Sequence, residues 1–261
     1  MNALLIDIGN SRLKLAQYGE GQVTFLEAVD IHAADDCRAA LKRHWQGLPT
    51  ATTDIWAVSV ASQTLSQVVQ TACPDATVHW VYPQSNAAGV RNAYPDPSQL
   101  GPDRWVGIIG LTRQFATRDR PIVLASFGTA TTIDTLSADN EFLGGLILPG
   151  VSMMQEALNR GTARLPNAHG DLQDFPNNTV SAIATGIARA QSGAVLRQMQ
   201  LAKQRFGTQP TLCVTGGAWS SIEPEIRQVL GDVDIHELPH IVLHGLAILA
   251  DRSLTKANES S

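Results

Sequence analysis

The sequence has few of the features that mark secreted, membrane or nucleic-acid-binding proteins. Its 261 residues include only three cysteines, Cys37, Cys73 and Cys213. Their wide spacing and odd number offer neither a disulfide framework nor a CxxC metal motif, and suit a reducing compartment. No apolar run approaches the ~18 residues of a membrane span. No Lys/Arg cluster provides a nucleic-acid footprint, and the formal net charge is −5. We therefore expect a cytoplasmic protein without membrane or nucleic-acid partners.

Two common phosphate-binding motifs are also missing, because the chain has no GxxxxGK[ST] and no GxGxxG after a predicted strand. Instead, one local pattern occurs twice. Residues 4–14 form a predicted buried strand, a polar turn at Gly9 and a returning strand, and residues 122–134 repeat this around Gly128. Each turn exposes backbone N–H groups followed by small polar side chains, so two such turns can hold the phosphates of a nucleotide. This duplication indicates phosphoryl transfer.

Strand-like and helical segments are mixed along the whole chain, which predicts an α/β protein with layered sheets. The two strand–turn–strand units lie in different halves of the sequence. We therefore expect two related lobes, residues 1–118 and 119–261, divided at a charged stretch that ends in Pro121.

The first turn carries side chains that suit a nucleotide. Gly9 permits close approach of a phosphate, Asn10 and Ser11 can donate hydrogen bonds, and Lys14 brings a positive charge. Asp7, at the end of the strand, can hold a hydrated Mg²⁺ that bridges phosphates. An ordinary β-hairpin with Asp-x-Gly turn chemistry explains the segment equally well. The second copy of the pattern favours the functional interpretation.

A carboxylate also opens a predicted helix, in the segment Gly101-Pro102-Asp103-Arg104. Asp is favourable near a helix start through the helix dipole, and Pro suits the first turn, so capping explains this segment. The same geometry would let Asp103 accept the proton of a substrate hydroxyl.

Two further patterns are weaker. Gly216-Gly217 follows a predicted strand, where either a plain strand–helix turn or a contact with the base or ribose of a nucleotide fits. His236, His240 and His244 recur every four residues, but Pro239 interrupts the first interval. No nearby carboxylate or cysteine completes a site, so this pattern does not favour metal binding.

Taken in chain order, these motifs resemble a known family. They are Asp7-x-Gly9-Asn10-x-x-x-Lys14, Tyr94 before Gly101-x-Asp103-Arg104, Gly128-Thr129-Ala130-x-Thr132-x-Asp134, Gly144-Gly145-x-Ile147-x-Pro149-Gly150, Asn178-Thr179 and Thr215-Gly216-Gly217. Together they resemble the type III pantothenate kinases, also called Bvg accessory factor-like proteins, over nearly the whole chain. That resemblance implies the acetate/sugar kinase–Hsp70–actin superfamily and two actin-like (ribonuclease H-like) lobes related by internal duplication. It implies a phosphotransferase that uses ATP with Mg²⁺ to convert pantothenate to 4′-phosphopantothenate, the first step of coenzyme A biosynthesis.

The resemblance also implies roles for individual residues. Asp103 would be the general base on the pantothenate hydroxyl. The ATP phosphates would be held by Asp7, Ile8, Gly9, Asn10, Ser11, Arg12, Leu13, Lys14 and Thr129. The pantothenate pocket would be lined by Tyr94, Gly101, Pro102, Asp103, Arg104 and Thr179. A homodimer is implied as well, in which the site of one protomer includes Thr179 of the partner subunit.

One position departs from the family pattern. When the two turns are aligned on their glycines, Ser126 falls opposite Asp7, where many relatives carry a second Asp that helps bind an activating monovalent cation such as K⁺ or NH₄⁺. A serine offers one oxygen and no charge. The cation is therefore either held more weakly, by backbone oxygens, or not needed.

Two other functions remain open from the sequence. One is a non-catalytic regulatory or accessory relative, and the other is a different phosphotransferase or hydrolase of the same superfamily. The intact Asp103-Arg104 pair, Lys14 and the two turns favour the kinase.

Overall fold

The protein folds as two compact units, and the chain passes between them twice. The computed structural model describes residues 2–32, 34–50, 52–61, 63–161 and 170–259. Unit 1 contains the described residues up to Thr117 and from His240 onward, and unit 2 contains those from Arg118 to Pro239. Within the described part of the chain, no helix combines the length and apolar character needed to cross a bilayer.

Strands and helices are mixed along both units. Up to Gln114 the elements are β1 (Ala3–Ile8), β2 (Arg12–Gly19), β3 (Gln22–Asp30), α1 (Ala34–Gln46), β4 (Asp54–Ser59), α2 (Gln63–Ala72), β5 (Thr77–Trp80), β6 (Asn86–Ala87), β7 (Val90–Asn92), a 3-10 turn (Pro97–Gln99) and α3 (Pro102–Gln114). The rest are β8 (Ile122–Phe127), β9 (Ala130–Leu136), β10 (Glu141–Pro149), α4 (Val151–Gly161), α5 (Thr179–Phe206), β11 (Thr211–Thr215), α6 (Trp219–Leu230), β12 (Ile235–Glu237) and α7 (Ile241–Glu259). The predicted α/β class is confirmed.

Both units contain the same arrangement of five strands. In unit 1 the order is β3-β2-β1-β4-β5, and in unit 2 it is β10-β9-β8-β11-β12. In each of these five-stranded sets the first three strands in sequence pair antiparallel. The fourth pairs parallel with the first, and the fifth pairs parallel with the fourth. The internal duplication inferred from the two glycine turns therefore extends to the strand order and directions of both units.

The alternation of side chains along β1 organises the core of unit 1. Leu4, Ile6 and Ile8 pack towards residues of α1 and α2, whereas Ala3 and Leu5 pack towards α3 and α7. Because successive strand residues point to opposite faces, Asp7 shares the face that α3 and α7 cover. A polar site at the end of β1 is thereby placed beneath two helices.

The assignment of α7 differs from the expected lobes. We expected residues 119–261 to form one lobe, but the described part of α7 belongs to unit 1. Its Leu243, Leu246 and Ala247 are buried in the cluster that contains Leu5 of β1 and Val106 of α3. Residues of unit 1 thus cover the apolar face of α7, although the helix follows unit 2 in the chain.

Glycines let α3 and α7 come into backbone contact. A Cβ on Gly110 of α3 would lie 2.5 Å from the carbonyl oxygen of Ile241. A Cβ on Gly245 of α7 would lie well inside van der Waals contact of the carbonyl oxygen of Val106. Neither backbone oxygen is the flexible end of a side chain, so these positions need glycine for space.

We predict that Gly245→Ala destabilises the protein by about 1–3 kcal/mol, the usual effect of overpacking. Gly193→Ala is the matched control, since Gly193 lies within α5 and a Cβ there has no neighbour within 4 Å. The control is expected to stabilise by about 0.5–1 kcal/mol through helix propensity. Urea unfolding followed by circular dichroism measures both. Equal stability of the two variants would contradict the close contact of α3 with α7.

Candidate active site

The first turn places a buried carboxylate beside an ammonium group. Asp7 lies directly opposite Lys14 in the antiparallel register of β1 and β2. The Lys14 Nζ donates to Asp7 Oδ2 at 3.0 Å, and Asp7 is only 4% exposed. The Gly9 N–H donates to the Arg12 carbonyl at 3.0 Å and closes the turn. The predicted residues of this segment are therefore brought together at the end of β1.

Side chains from this segment differ in what they can offer a ligand. Ile8 and Leu13 are fully buried in the core cluster that includes α1 and α2. They can contribute backbone atoms only. Asn10 and Arg12 are exposed and Ser11 is half-buried, so their polar groups can reach a bound anion.

Asp103 lies in the first turn of α3 and close to Asp7. Its Oδ1 accepts the N–H of Arg104 at 2.8 Å. Burial raises the pKa of Asp103 above its ordinary value of 3.8, and the negative charge of Asp7 adds to the effect. A carboxyl group with a raised pKa is a stronger base once ionised, which suits a group that must take up a proton.

Gly101 leaves room for that carboxylate. It precedes α3 with extended backbone angles and provides no side-chain cap. A Cβ at this position would lie 2.9 Å from Asp103 Oδ1, and any substituent would crowd it. The absence of a side chain at Gly101 therefore leaves the space that the Asp103 carboxylate occupies.

Arg104 brings a buried cation to the same helix start. It is 7% exposed, and its Nη1 donates to the Tyr94 hydroxyl at 3.4 Å. Tyr94 is tied to Asn92 by a hydrogen bond from its backbone N–H to Asn92 Oδ1, at 3.0 Å. The predicted residues Tyr94 and Gly101–Arg104 therefore form one connected group in unit 1.

The second turn, in unit 2, is built by close backbone contacts. The Thr129 carbonyl accepts the N–H of Gly150 at 3.0 Å, and the Phe127 carbonyl accepts the N–H of Ala218 at 3.1 Å. Gly216 has a φ of 103°, and a Cβ there would collide with the backbone of Phe127. Three loops, at 128–129, 150 and 216–218, thus converge.

Sequence reasoning identified the glycines of this group but not their contacts. Gly150 was only part of a family motif, and a Cβ there would collide with the carbonyl oxygens of Gly128 and Thr129. In the sequence, only the proline before Gly150 and the doublet at Gly216-Gly217 indicate that these glycines lie in turns. Neither pattern predicts which other turn the glycine contacts.

The charged pair of the first turn has a neutral counterpart in the second. Ser126 lies opposite Thr132 in the register of β8 and β9, as Asp7 lies opposite Lys14. Two hydroxyl groups therefore occupy the positions where unit 1 has an ion pair. The turns share their topology but differ in charge.

Thr179 is the first residue of α5 and is exposed. Asn178 caps the helix, since its side chain accepts the N–H of Ser181 at 2.9 Å. Beside this helix start lies a mostly apolar groove of about 900 Å³. Its lining residues include Pro149, Met154, Leu158, Pro176, Thr179 and Ile183.

Comparison with known proteins bears on what this arrangement does. Residues 3–201 match the family model described as type III pantothenate kinase. That span includes both turns, Asp103 and Thr179. A type III pantothenate kinase from Bordetella petrii is 41% identical over 264 aligned positions, which cover 95% of this chain and 96% of the relative.

The chain belongs to the type III pantothenate kinase family.

Solved structures place this pantothenate kinase family member in a wider fold group. An activator of 2-hydroxyisocaproyl-CoA dehydratase from Clostridium difficile, solved with bound ADPNP, has a TM-score of 0.53 at 12% identity, covering 100% of this chain and 97% of that one. An archaeal actin homologue has a TM-score of 0.51 at 11% identity, covering 97% and 100%. At these identities the likeness concerns the fold, which is actin-like as expected.

Among the residues that the structure describes, no group of three or more His, Cys, Asp or Glu side chains is arranged to hold a metal. Of the spaced histidines, His240 precedes α7 with a φ of 57° and stacks on Phe25, with ring centroids 3.9 Å apart.

We predict that Asp103→Asn stabilises the folded protein at pH 8. Between pH 3.8 and its raised pKa, the folded state holds a proton on Asp103 that the unfolded state has lost. Linkage then makes the free energy of unfolding fall as the pH rises through this window. Asparagine removes this effect, so the advantage of the variant should shrink from pH 8 to pH 4.

Urea unfolding at a series of pH values measures this difference. Asp119→Asn is the control, because the Asp119 side chain is 86% exposed and should change stability little at either pH. A stability gap at Asp103 that does not vary with pH would contradict the raised pKa.

Proposed function

We propose that this protein catalyses the ATP-dependent phosphorylation of pantothenate to 4′-phosphopantothenate, the first step of coenzyme A biosynthesis. The observation that carries the proposal is the family match over residues 3–201. Within that span the half-buried Asp103 carboxyl, whose pKa is raised, and the Asp7–Lys14 pair are intact. A non-catalytic relative would have no need to retain the buried Asp7 carboxylate, since a charged group is costly to desolvate.

Asp103 acts as the general base in this proposal. The pantothenate hydroxyl oxygen attacks the γ-phosphorus of ATP while its proton passes to the Asp103 carboxylate. The bond from the γ-phosphorus to the bridging oxygen breaks, and ADP leaves. Phosphoryl transfer of this kind depends mainly on positioning and charge neutralisation.

The ATP phosphates bind to the two glycine turns. Residues Asp7–Lys14 of the first turn and Thr129 of the second contribute backbone N–H groups, hydroxyls and the Lys14 ammonium. Mg²⁺ accompanies ATP and would neutralise phosphate charge. The donor chemistry fits, since the Asp7 carboxylate is the type of oxygen ligand that Mg²⁺ prefers.

Pantothenate binds at the start of α3. Arg104 and Tyr94, already joined by a hydrogen bond, offer donors for its oxygen atoms, and Gly101 and Pro102 provide a surface without bulky side chains. Pantothenate is anionic, and a buried guanidinium is well suited to recognise a carboxylate.

The pocket is completed in a homodimer by Thr179 of the partner subunit. Thr179 is exposed on its own protomer and borders the apolar groove of about 900 Å³. Ile147, Met153 and Phe175 are exposed apolar residues and lie close in the sequence to residues that line this groove, as expected for a surface that is buried on association.

We infer that the enzyme works in the cytoplasm, in agreement with three free, buried cysteines.

We predict that Asp103→Asn lowers kcat by about 10²- to 10⁴-fold, the usual contribution of a general base. The affinity for ATP should change little, because the base orients the acceptor and not the nucleotide. A coupled assay of ADP release, with and without pantothenate, measures the rate, and Asp119→Asn again serves as the control.

Calorimetric titration of the wild-type protein with ATP and pantothenate completes this test. Normal turnover in Asp103→Asn would assign that residue a capping role only. A wild-type protein that binds ATP but not pantothenate would instead be a different member of the superfamily.

A monovalent cation activates the enzyme in this proposal, held weakly by neutral oxygens. Ser126 and Thr132 lie opposite each other at the second turn, where the donor set contains hydroxyl and carbonyl oxygens. Such donors suit K⁺ or NH₄⁺ but lack the charge of a carboxylate ligand. A cation there would offset phosphate charge at the second turn.

We predict higher rates in K⁺ or NH₄⁺ than in Na⁺, with a high concentration needed for half-activation. Ser126→Asp should lower that concentration because it adds a negative charge. Initial rates across a series of the three chlorides, at constant ionic strength, test both statements. Identical wild-type rates in all three salts would show that no such activation occurs.

A further inference from the structure

Residues 170–178 lead into α5 without regular secondary structure, yet they are tied to the helices of unit 2. A Cβ on Gly170 would lie 2.5 Å from the Val180 carbonyl oxygen, so the backbone there runs against the start of α5. The Gln173 N–H donates to the Thr185 hydroxyl at 3.1 Å, and Leu172 packs on the unit 2 core.

Arg189 supplies the other ties, and each of its three guanidinium nitrogens has a separate acceptor. Nη2 donates to the Gln173 carbonyl at 3.2 Å, and Nη1 donates to the Asp174 carbonyl at 3.1 Å. Nε donates to Glu225 Oε1 of α6 at 3.3 Å. One side chain thereby joins α5, α6 and the loop before α5.

We call this set of three hydrogen bonds from the Arg189 guanidinium the fork. Glu225 fixes its orientation. Its side chain is only 8% exposed, so leaving it without a cation would be costly. The planar guanidinium therefore stays against Glu225 and presents its two remaining nitrogens to the loop carbonyls. A lysine at this position has a single ammonium group and cannot span the same three acceptors.

The loop carbonyls that Arg189 holds lie close to Thr179 in the sequence. Only residues 175–177 separate the anchored carbonyl of Asp174 from Asn178, whose extended backbone (φ −141°, ψ 156°) and side-chain cap set the entry into α5. Pro176 and Asn177 also line the groove beside Thr179. Movement of the anchored carbonyls would therefore be passed to the cap and to the groove rim within one short segment.

We propose that Arg189 is a positioning residue for pantothenate binding, which it supports by holding residues 173–178 and hence Thr179 in place. This role rests on the proposed function, because it requires that Thr179 contributes to the pantothenate site. Arg189 is not among the residues assigned to either substrate.

The decisive variant is Arg189→Lys, which keeps a cation for Glu225 but loses the fork to the loop. We expect the KM for pantothenate to rise about three- to tenfold. This is less than the roughly tenfold or larger effect of losing a direct hydrogen bond from a charged donor, because Arg189 acts through the loop. The KM for ATP and the kcat should stay within about twofold, since the turns and Asp103 are unaffected. Arg189→Met should show the same rise together with a lower melting temperature.

Arg227→Met is the matched control. Arg227 lies on α6 and pairs with Glu223 at 2.8 Å within the same helix. It should leave all kinetic constants unchanged. Hydrogen exchange at the Gln173 amide gives an independent readout, and it should be faster in Arg189→Lys than in the wild type or the control.

The possible outcomes are distinct. An active wild-type enzyme with an unchanged KM for pantothenate in both Arg189 variants would overturn the positioning role, as would equal changes for ATP and pantothenate. A wild-type protein that does not phosphorylate pantothenate would overturn the proposed function and this inference with it. A selective rise in the KM for pantothenate, with faster exchange at Gln173, supports the role.

Discussion

The proximity of two carboxylates, Asp7 and Asp103, is the constraint on which the rest of unit 1 depends. Burial and the negative charge of Asp7 both raise the pKa of Asp103. Burying the Asp7 carboxylate is itself costly, so the surrounding structure must compensate. Lys14 neutralises Asp7 at 3.0 Å, and Asp103 receives the N–H of Arg104 at a helix start. Asp7 lies on the face of β1 that α3 and α7 cover. Removal of the Lys14 side chain would leave the buried Asp7 carboxylate without its cation.

The two units show how one topology can serve two different environments. The strand order and directions are the same, and in both units a glycine turn follows the first strand. Unit 1 places the ion pair of Asp7 and Lys14 at this turn, whereas unit 2 has Ser126 opposite Thr132. In unit 2, glycines at 150 and 216 bring neighbouring loops against the turn. The first turn is thus defined by charge and the second by close backbone packing.

Much of this arrangement was predictable from local pattern. A run of apolar residues before a glycine turn is sufficient to predict β1 and β8, and the repeat of that pattern predicted the duplicated units. The packing partner of α7 was not predictable, because helical periodicity reveals an apolar face but not the surface that covers it. The role of Asp103 was also ambiguous, because a helix cap and a general base give the same local sequence pattern. The position of Asp103 at a helix start follows from the sequence, but its raised pKa depends on burial and on the charge of Asp7, which is far away in the chain.

The sequence by itself determined the α/β class, the two glycine turns and the chemical groups available at each, since strand alternation and turn chemistry are local properties. Only the tertiary structure decided that α7 closes unit 1, that Ile8 and Leu13 face the core, and that Arg189 holds the loop before Thr179. Each of these depends on contacts between residues far apart in the chain. Burial, distance and charge compensation arise only when such residues meet.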